Sequence, residues 1–191
     1  MTGTSAILAT DVPTHLVYEW DDGSPIYYRN YQEVLSGKIT SEEVMADSTL
    51  QAWIKSKLYL FLCGALLEKG YEILVGEIGM QLAPKSTRAA DIAIFKAETF
   101  TLSNKYTEQA PEIVIEIDVK ADYPNSGKLI EYYELKTQKL LEFGVKKVIW
   151  IFTDSETVIV INPDQKLFLD WSDEVEVMPG FDLRLDDLLK R

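Results

Sequence analysis

The most regular pattern of hydrophobic and polar residues in the chain lies in residues 111–120, Pro-Glu-Ile-Val-Ile-Glu-Ile-Asp-Val-Lys. Apolar residues occupy every second position, and two carboxylates and an ammonium lie between them: Ile113, Ile115, Ile117 and Val119 against Glu116, Asp118 and Lys120. Successive side chains of a β-strand point to opposite faces. The pattern therefore predicts a strand with one apolar face and one charged face.

Other alternating or apolar runs predict further strands, separated by turn residues such as Asp22-Gly23. These strands are His15–Trp20, Pro25–Tyr28, Tyr71–Val75, Glu77–Leu82, Ala89–Lys96, Val145–Thr153, Thr157–Ile161, Lys166–Trp171 and Glu174–Met178. Helical spacing of apolar residues predicts Leu50–Lys69, capped by Asp47 or Ser48, and Lys128–Phe143, ended by Gly144. Shorter helices are predicted at Asn30–Lys38, from Thr40 to Met45, and at Leu185–Leu189.

The order of these elements predicts the architecture. Strand 111–120, helix 128–143 and strand 145–153 form a strand–helix–strand unit, which implies a parallel pair joined by a right-handed crossover. The chain shows neither an internal repeat nor a linker. We therefore predict a flexible tail over residues 1–14 and one α/β domain with a mixed sheet over residues 15–191.

Composition and charge restrict the class of protein. At 191 residues, 47% of them hydrophobic, the chain can bury a full core. The single cysteine, Cys63, excludes an internal disulfide framework and is typical of a reducing compartment. With no secretory signal and no apolar run long enough to span a membrane, we expect a cytoplasmic protein. The net charge of −12 argues against tight non-specific DNA binding by this chain alone.

The charged face of strand 111–120 is a candidate metal site. Residues two apart in a strand are separated by about 7 Å, so Glu116 and Asp118 could share a divalent cation and Lys120 could reach the same ligand. Hard cations such as Mg²⁺ take oxygen ligands, commonly one or two carboxylates. The alternative interpretation is an edge strand whose polar face is solvated.

One further carboxylate is informative. Asp91 interrupts the small and apolar run Ala89–Lys96, and a buried carboxylate is costly unless it is paired or bound to metal. By contrast, Lys55 and Lys57 lie near the start of the long helix and are interpreted as solvated surface lysines.

Four motifs, in this order and at these spacings, resemble those of the Uma-type putative restriction endonucleases. They are Tyr18–Gly23, similar to the family's Tyr-Glu-Leu-x-Asp-Gly opening; Ala90–Phe95, similar to its Pro-Asp-hydrophobic strand; Glu112–Ile117, similar to its Asp-Leu-Val-Val-Glu-Val strand; and Lys136–Val145, similar to its lysine-bearing helix before a Gly-Val. The resemblance covers about residues 16–190, with an insertion at about residues 29–44. Ala90 stands where the family has proline.

The resemblance implies the restriction-endonuclease-like fold of the PD-(D/E)XK superfamily, an α/β (α+β) fold with a mixed β-sheet flanked by helices. It also implies an endonuclease that hydrolyses nucleic-acid phosphodiester bonds, most commonly in DNA, with Mg²⁺ (or Mn²⁺) held by two carboxylates. Asp91 matches the superfamily's aspartate, Glu116 its second acid and Glu19 an amino-terminal acid. Glu19 or Gln81 would adjust the attacking water or a second ion.

The position of the superfamily's lysine stays open. The family carries it on the helix after the strand, which matches Lys136. Alternatively, Asp118 is the second acid and a metal ligand. The sequence Asp118-Val119-Lys120 then satisfies the superfamily pattern, with Lys120 as the lysine. Two further functions remain as alternatives: a non-catalytic binding or assembly module that kept the nuclease fold, with a homodimer as one form, and a hydrolase of smaller phosphoesters.

Overall fold

The structure, a computed structural model, describes residues 12–118, 120–122 and 129–190. The strands are β1 Val17–Asp21, β2 Ser24–Tyr28, β3 Tyr71–Ala83, β4 Ser86–Lys96, β5 Ile113–Ile117, β6 Ala121–Asp122, β7 Lys147–Phe152, β8 Thr157–Ile161, β9 Lys166–Asp170, β10 Val175–Met178 and β11 Phe181–Leu183. The α-helices are α1 Tyr31–Leu35, α2 Ser41–Met45, α3 Thr49–Leu66, α4 Leu129–Phe143 and α5 Leu185–Leu188, with 3-10 turns at Thr14–Leu16 and Leu67–Lys69. Most of the predicted tail, Val119 and residues 123–128 lie outside the described residues.

Nine of these strands form one mixed sheet. Its order is β6-β2-β1-β4-β5-β7-β8-β9, with β3 paired to β4, while β10 and β11 form a separate pair. β5 and β7 are parallel, and the other described pairs are antiparallel. The predicted parallel unit β5–α4–β7 and the mixed sheet are therefore confirmed. Among the described residues, no helix combines the length and apolar character needed to cross a membrane.

Helices cover both faces of the sheet around β5. On one face α3 contributes Ile54, Leu58, Leu62 and Leu66 to a core that also holds Ile113, Ile115 and Ile117. On the other face α4 contributes Tyr132, Tyr133 and Leu140 to a core with Val114, Val148 and Trp150. Since β5 lies between β4 and β7 and its Glu116 is 2% exposed, the solvated edge-strand interpretation is wrong.

The N-terminus of α3 settles the choice of cap. The Ser48 side chain accepts from the backbone N–H of Gln51, and the Gln51 side chain accepts from the backbone N–H of Ser48, which completes a capping box. Asp47 is therefore not the cap, and its carboxylate is available for contacts with other elements.

Two strands differ from the prediction at their ends. The two strands predicted over residues 71–82 are one strand, β3, whose register shifts between Val75 and Ile78 around Gly76 at φ 136°. β5 ends at Ile117 because Asp118 adopts a left-handed conformation, with φ 58°. Strict alternation therefore stops at Ile117, and neither Asp118 nor Lys120 continues the face on which Glu116 lies.

Candidate active site

The candidate site lies where two strands diverge from β4. One edge of β4 pairs with β3, and the other pairs with β5 through Ile92–Ile94 and with β1 through Thr87. Residues 88–91 of β4 therefore lie in a fork between β1 and β5. In such a fork the backbone N–H groups lack strand partners and need other acceptors.

Two carboxylates supply those acceptors. Oε1 of Glu19 accepts from the backbone N–H of Ala89 at 3.0 Å, and Oδ2 of Asp91 accepts from the backbone N–H of Ile117 at 2.7 Å. Both acids are buried, Glu19 at 1% and Asp91 at 4% exposure. Glu19 and Asp91 therefore hold the two strands at the fork while their remaining oxygen atoms face other charged groups.

A first ion cluster surrounds Asp91 and is called the Asp91 cluster below. Nζ of Lys55 lies 2.6 Å from Oδ1 of Asp91 and 2.7 Å from Oδ2 of Asp47. Lys120 forms ion pairs with Asp47 and with Glu77. Three carboxylates and two ammonium groups thus meet at one end of the sheet.

Burial and charge act against each other in this cluster. Burial raises the pKa of Asp91, and the Lys55 ammonium and the Ile117 N–H oppose that rise without cancelling it. Burial would lower the pKa of Lys120, but its hydrogen bonds to Asp47 and Glu77 outweigh burial and raise it. Lys120 therefore stays charged, and the ionisation of Asp91 depends on the balance between burial and the groups around it.

Lys55 corrects a prediction made from the sequence. Its side chain is 7% exposed, so the interpretation as a solvated surface lysine is wrong. Lys55 follows the core residue Ile54 in the second turn of α3, and its ammonium reaches inward to Asp47 and Asp91.

A second ion cluster, the Glu116 cluster, lies on the α4 side. Nζ of Lys136 is 2.9 Å from Oε1 of Glu19 and 3.0 Å from Oε1 of Glu116, and its side chain is 1% exposed. The Tyr132 hydroxyl donates to Oε2 of Glu19 at 2.7 Å, and Arg88 approaches the same oxygen at 3.5 Å. The Lys136 ammonium is therefore held between two buried carboxylates.

Aromatic rings enclose this ammonium. The rings of Tyr18, Tyr132 and Trp150 have their centroids 5.4, 5.9 and 5.7 Å from Nζ of Lys136. Rings at this distance attract a cation through their negative faces. They also exclude water, which strengthens the ion pairs with Glu19 and Glu116.

The pKa values of the pair reflect this environment. Burial raises the pKa of Glu116 to about 8 despite the Lys136 ammonium, and the charges of Asp91 and Glu19 add to the rise. Burial would lower the pKa of Lys136, but Glu116 and Glu19 outweigh it and raise that pKa. Lys136 is thus a permanent cation, and Glu116 is poised to change its charge near neutral pH.

This raised pKa predicts a pH dependence of stability. Because the folded-state pKa of Glu116 lies above its usual value of 4.5, the stabilising contribution of protonated Glu116 is complete below that value and is lost as the pH rises through about 8. We expect wild type and Glu116→Gln to melt at similar temperatures near about pH 5 and the variant to melt higher at about pH 9. Calorimetry in a chelating buffer measures this, and a difference independent of pH would contradict it.

The two clusters adjoin across the fork. Asp91 accepts from the backbone N–H of Ile117, the residue after Glu116, and the charge of Asp91 contributes to the raised pKa of Glu116. Their contacts come from opposite sides, however, since Lys55 belongs to α3 and Lys136 to α4. The structure therefore brings the two predicted acids to one place in the sheet and surrounds each with its own lysine.

Three carboxylates of the described residues are close enough to bind one metal ion. One oxygen atom each from Asp47, Glu77 and Asp91 lie within 4.8 Å of one another. Carboxylate oxygens are the ligands that Mg²⁺ and Mn²⁺ prefer, so this donor set fits the cation implied by the sequence. Sequence reasoning missed Asp47, which was weighed only as a helix cap, and Glu77, which follows Gly76 in β3. A glycine inside a strand is a bulge signal and could have drawn attention to the region around Glu77.

The remaining predicted residues have other surroundings. Asp118 accepts from the backbone N–H and hydroxyl of Thr153, both at 2.8 Å, and from the Gln51 amide at 3.2 Å. It therefore joins the ends of β5 and β7 to α3, and binding a metal would compete with these bonds. Gln81 donates to the carbonyls of Ala83 and Ser86 in the β3–β4 hairpin. Their roles at a metal remain predictions.

A groove leads to the Asp91 cluster. Its volume is about 810 Å³, and Asp47 and Lys120 lie in its wall. Arg29, Ser48, Gln51 and Thr153 also line it, together with the acids Asp118 and Asp154. The cluster is thus accessible from solvent, whereas the Glu116 cluster behind it is closed by aromatic rings.

The fold is similar to that of another protein whose structure is solved. A solved structure, described as a putative nuclease belonging to DUF820 from Anabaena variabilis ATCC 29413, matches with a TM-score of 0.66 and 17% sequence identity, over 94% of this chain and 93% of that chain. At this identity the match shows the fold, in agreement with the predicted restriction-endonuclease-like mixed sheet. A search of curated proteins found no significant match.

A family model gives the classification. The Uma2 model, described as "Putative restriction endonuclease", matches residues 29–186. The match includes Asp91, Glu116 and Lys136, while Glu19 precedes it. The chain therefore belongs to the Uma2 family of putative restriction endonucleases.

Proposed function

We propose that this protein is a metal-dependent endonuclease that hydrolyses phosphodiester bonds, with DNA as its substrate and the cytoplasm as its location. The observation that carries the proposal is the group of carboxylate oxygens from Asp47, Glu77 and Asp91, within 4.8 Å of one another, with Asp47 lining an open groove. Membership of the family supports the nuclease chemistry.

Asp91 is the central ligand in this proposal. It belongs to the carboxylate group and accepts from the backbone N–H of Ile117, next to Glu116. Asp47 and Glu77 would hold the ion together with Asp91, and Glu116 would join them as a ligand once it has lost its proton. A bound Mg²⁺ or Mn²⁺ supplies a Lewis acid that polarises the scissile phosphate and lowers the pKa of a coordinated water.

The two candidate lysines take different roles in the proposal. Lys136 keeps its proton, because Glu116 and Glu19 raise its pKa, so it does not act as a base. Enclosed by aromatic rings, it contributes positive charge near the reacting phosphate without contacting it. Lys120 lies in the wall of the groove and contacts the phosphate backbone of the substrate when it leaves Asp47 and Glu77. Glu19 fixes the position of the Lys136 ammonium.

Cleavage of supercoiled plasmid tests this function. We expect the purified protein to nick the plasmid with Mg²⁺ or Mn²⁺ and to stop when a chelator is added. A matched reaction with linear duplex and single-stranded DNA and RNA identifies the preferred substrate. If neither cation supports cleavage of any of these substrates, the proposed function is wrong.

A second candidate function is a non-catalytic binding or assembly module. Two observations favour it: Lys55, Lys120 and Lys136 already pair with the acids of both clusters, and the net charge is −12. Such a network stabilises the fold without any cation. Absence of cleavage together with no shift in melting temperature on adding Mg²⁺ or Mn²⁺ would favour this module over the nuclease.

A further inference from the structure

Strand β9 forms one edge of the large sheet and carries exposed apolar side chains. Among the described residues it pairs with β8 alone, over five residue pairs with no register shift. Phe168 is 63% exposed and Leu167 is 41% exposed. Edge strands of soluble proteins are usually protected by charges, prolines or bulges, because their free N–H and C=O groups pair readily with another chain.

Hydrogen bonds at the two ends of the β8–β9 hairpin show which backbone groups of β9 do not bond to β8. The N–H of Asn162 donates to the carbonyl of Gln165, and the N–H of Trp171 donates to the carbonyl of Glu156. In an antiparallel pair the bonded residues alternate, so odd-numbered residues of β9 face β8. Lys166, Phe168 and Asp170 therefore direct their N–H and C=O groups away from the sheet.

At one end of β9, outward-directed backbone groups already form hydrogen bonds within the chain. The Asp173 carboxylate accepts from the N–H of Asp170 at 2.8 Å, and the N–H of Asp173 donates to the carbonyl of Asp170 at 3.0 Å. These contacts agree with the outward direction derived for Asp170. They leave the backbone groups of Lys166 and Phe168 facing solvent and a second lone pair on the Asp170 carbonyl.

The sequence of β9 is complementary to itself in the antiparallel direction. It reads Lys-Leu-Phe-Leu-Asp, with a cation at one end and a carboxylate at the other. A two-fold axis at Phe168 places Lys166 opposite Asp170 of the second copy and Leu167 opposite Leu169 of the second copy. In this register the outward-directed backbone groups of one copy lie opposite those of the other copy, as antiparallel hydrogen bonding requires.

We propose that β9 pairs with β9 of a second copy of this chain, so that the two sheets continue across a symmetric dimer. Phe168 exchanges two backbone hydrogen bonds with its counterpart, and the N–H of each Lys166 donates to the Asp170 carbonyl of the other copy. The Lys166–Asp170 ion pairs set the register and place opposite charges in contact, although each chain has a net charge of −12. The interface is independent of the proposed nuclease chemistry.

Sedimentation velocity over a series of concentrations tests the dimer. We expect the wild type to approach twice the chain mass at high micromolar concentration, and Phe168→Pro to stay at the chain mass. Proline removes an outward N–H, which an edge strand tolerates, so the variant should keep the wild-type circular dichroism spectrum. A wild type that is monomeric at every concentration would overturn the proposal.

Charge reversal tests the register. Asp170→Lys places two cations opposite each other and is expected to raise the dimer dissociation constant at least about tenfold, and Lys166→Glu is expected to do the same with two carboxylates. The combined variant should return to within about threefold of wild type, since the pairs are restored with reversed sign. Lys166 also lies 2.9 Å from Glu134, so Asp170→Lys is the cleaner single change.

Two controls complete the design. Lys105→Glu makes the same change in charge as Lys166→Glu, but on an exposed loop, and should leave the dimer unchanged. Phe168→Cys in a Cys63→Ala background should form an inter-chain disulfide on oxidation, because directly opposed bonded residues have Cα atoms about 5.5 Å apart. Equal weakening by Lys105→Glu, or a failure of both cross-linking and charge rescue, would rule out the β9 interface.

Discussion

Replacing Lys136 by methionine is expected to lower the free energy of unfolding by about 3–5 kcal/mol, because two buried carboxylates lose their shared ammonium. Glu19 and Glu116, at 1% and 2% exposure, would then face each other without a cation. Methionine preserves the length and apolar stem of the side chain, so the loss reports the charge. Urea denaturation followed by circular dichroism measures it.

Two further variants isolate the cause of that loss. Lys139→Met removes a lysine that is 26% exposed on the same helix and pairs with Asp22, and it should cost less than about 1 kcal/mol. Adding Glu116→Gln to Lys136→Met should recover part of the stability, because glutamine is neutral inside the core without having to take up a proton. If Lys136→Met costs no more than Lys139→Met, the ion pairs contribute little and our description of the Glu116 cluster is wrong.

The second large effect concerns cleavage. We expect Asp91→Asn and Glu116→Gln each to reduce the rate of metal-dependent plasmid nicking by a factor of about 10² or more, since each removes a charged oxygen ligand from the proposed ion. Glu98→Gln, at an exposed turn, is the matched control and should retain wild-type cleavage. Nicking rates are measured with Mg²⁺ and with Mn²⁺.

Folding must be checked separately from cleavage. Asp91 accepts the N–H of Ile117 and pairs with Lys55, so Asp91→Asn should keep the first contact and weaken the second. The melting temperature of each variant therefore accompanies its cleavage rate. Full cleavage by a well-folded Asp91→Asn variant would remove Asp91 from the proposed site.

The sequence predicted those parts of the fold that depend on local pattern. Strict alternation located β5, and helical spacing located α3 and α4, because burial of one face imposes a period on nearby residues. Alternation could not show that the second face of β5 is also buried, since Glu116 is polar. Its burial depends on Lys136, twenty positions later in the chain, which neutralises it inside the core.

The site was predicted in part for the same reason. Asp91 stood out as a carboxylate within an apolar run, Glu116 lay on the charged face predicted for strand 111–120, and the family resemblance supplied Lys136. The missed contacts join three separate segments of the chain. Lys55 lies in α3, Asp47 lies just before the α3 cap, and Glu77 lies in β3. They arise from packing between distant segments, and no periodic signal marks them. The left-handed conformation of Asp118 is likewise fixed by its bonds to Thr153.

The ammonium groups of the Asp91 cluster have a consequence for how the protein is made. Lys55 and Lys120 neutralise the carboxylates that an incoming cation would bridge. Zinc fingers, in contrast, remain unstructured until their ion arrives. A newly synthesised copy of this chain is therefore expected to reach its native state in a cation-poor environment, and the proposed metal ion would enter afterwards in exchange for the charges of the two lysines.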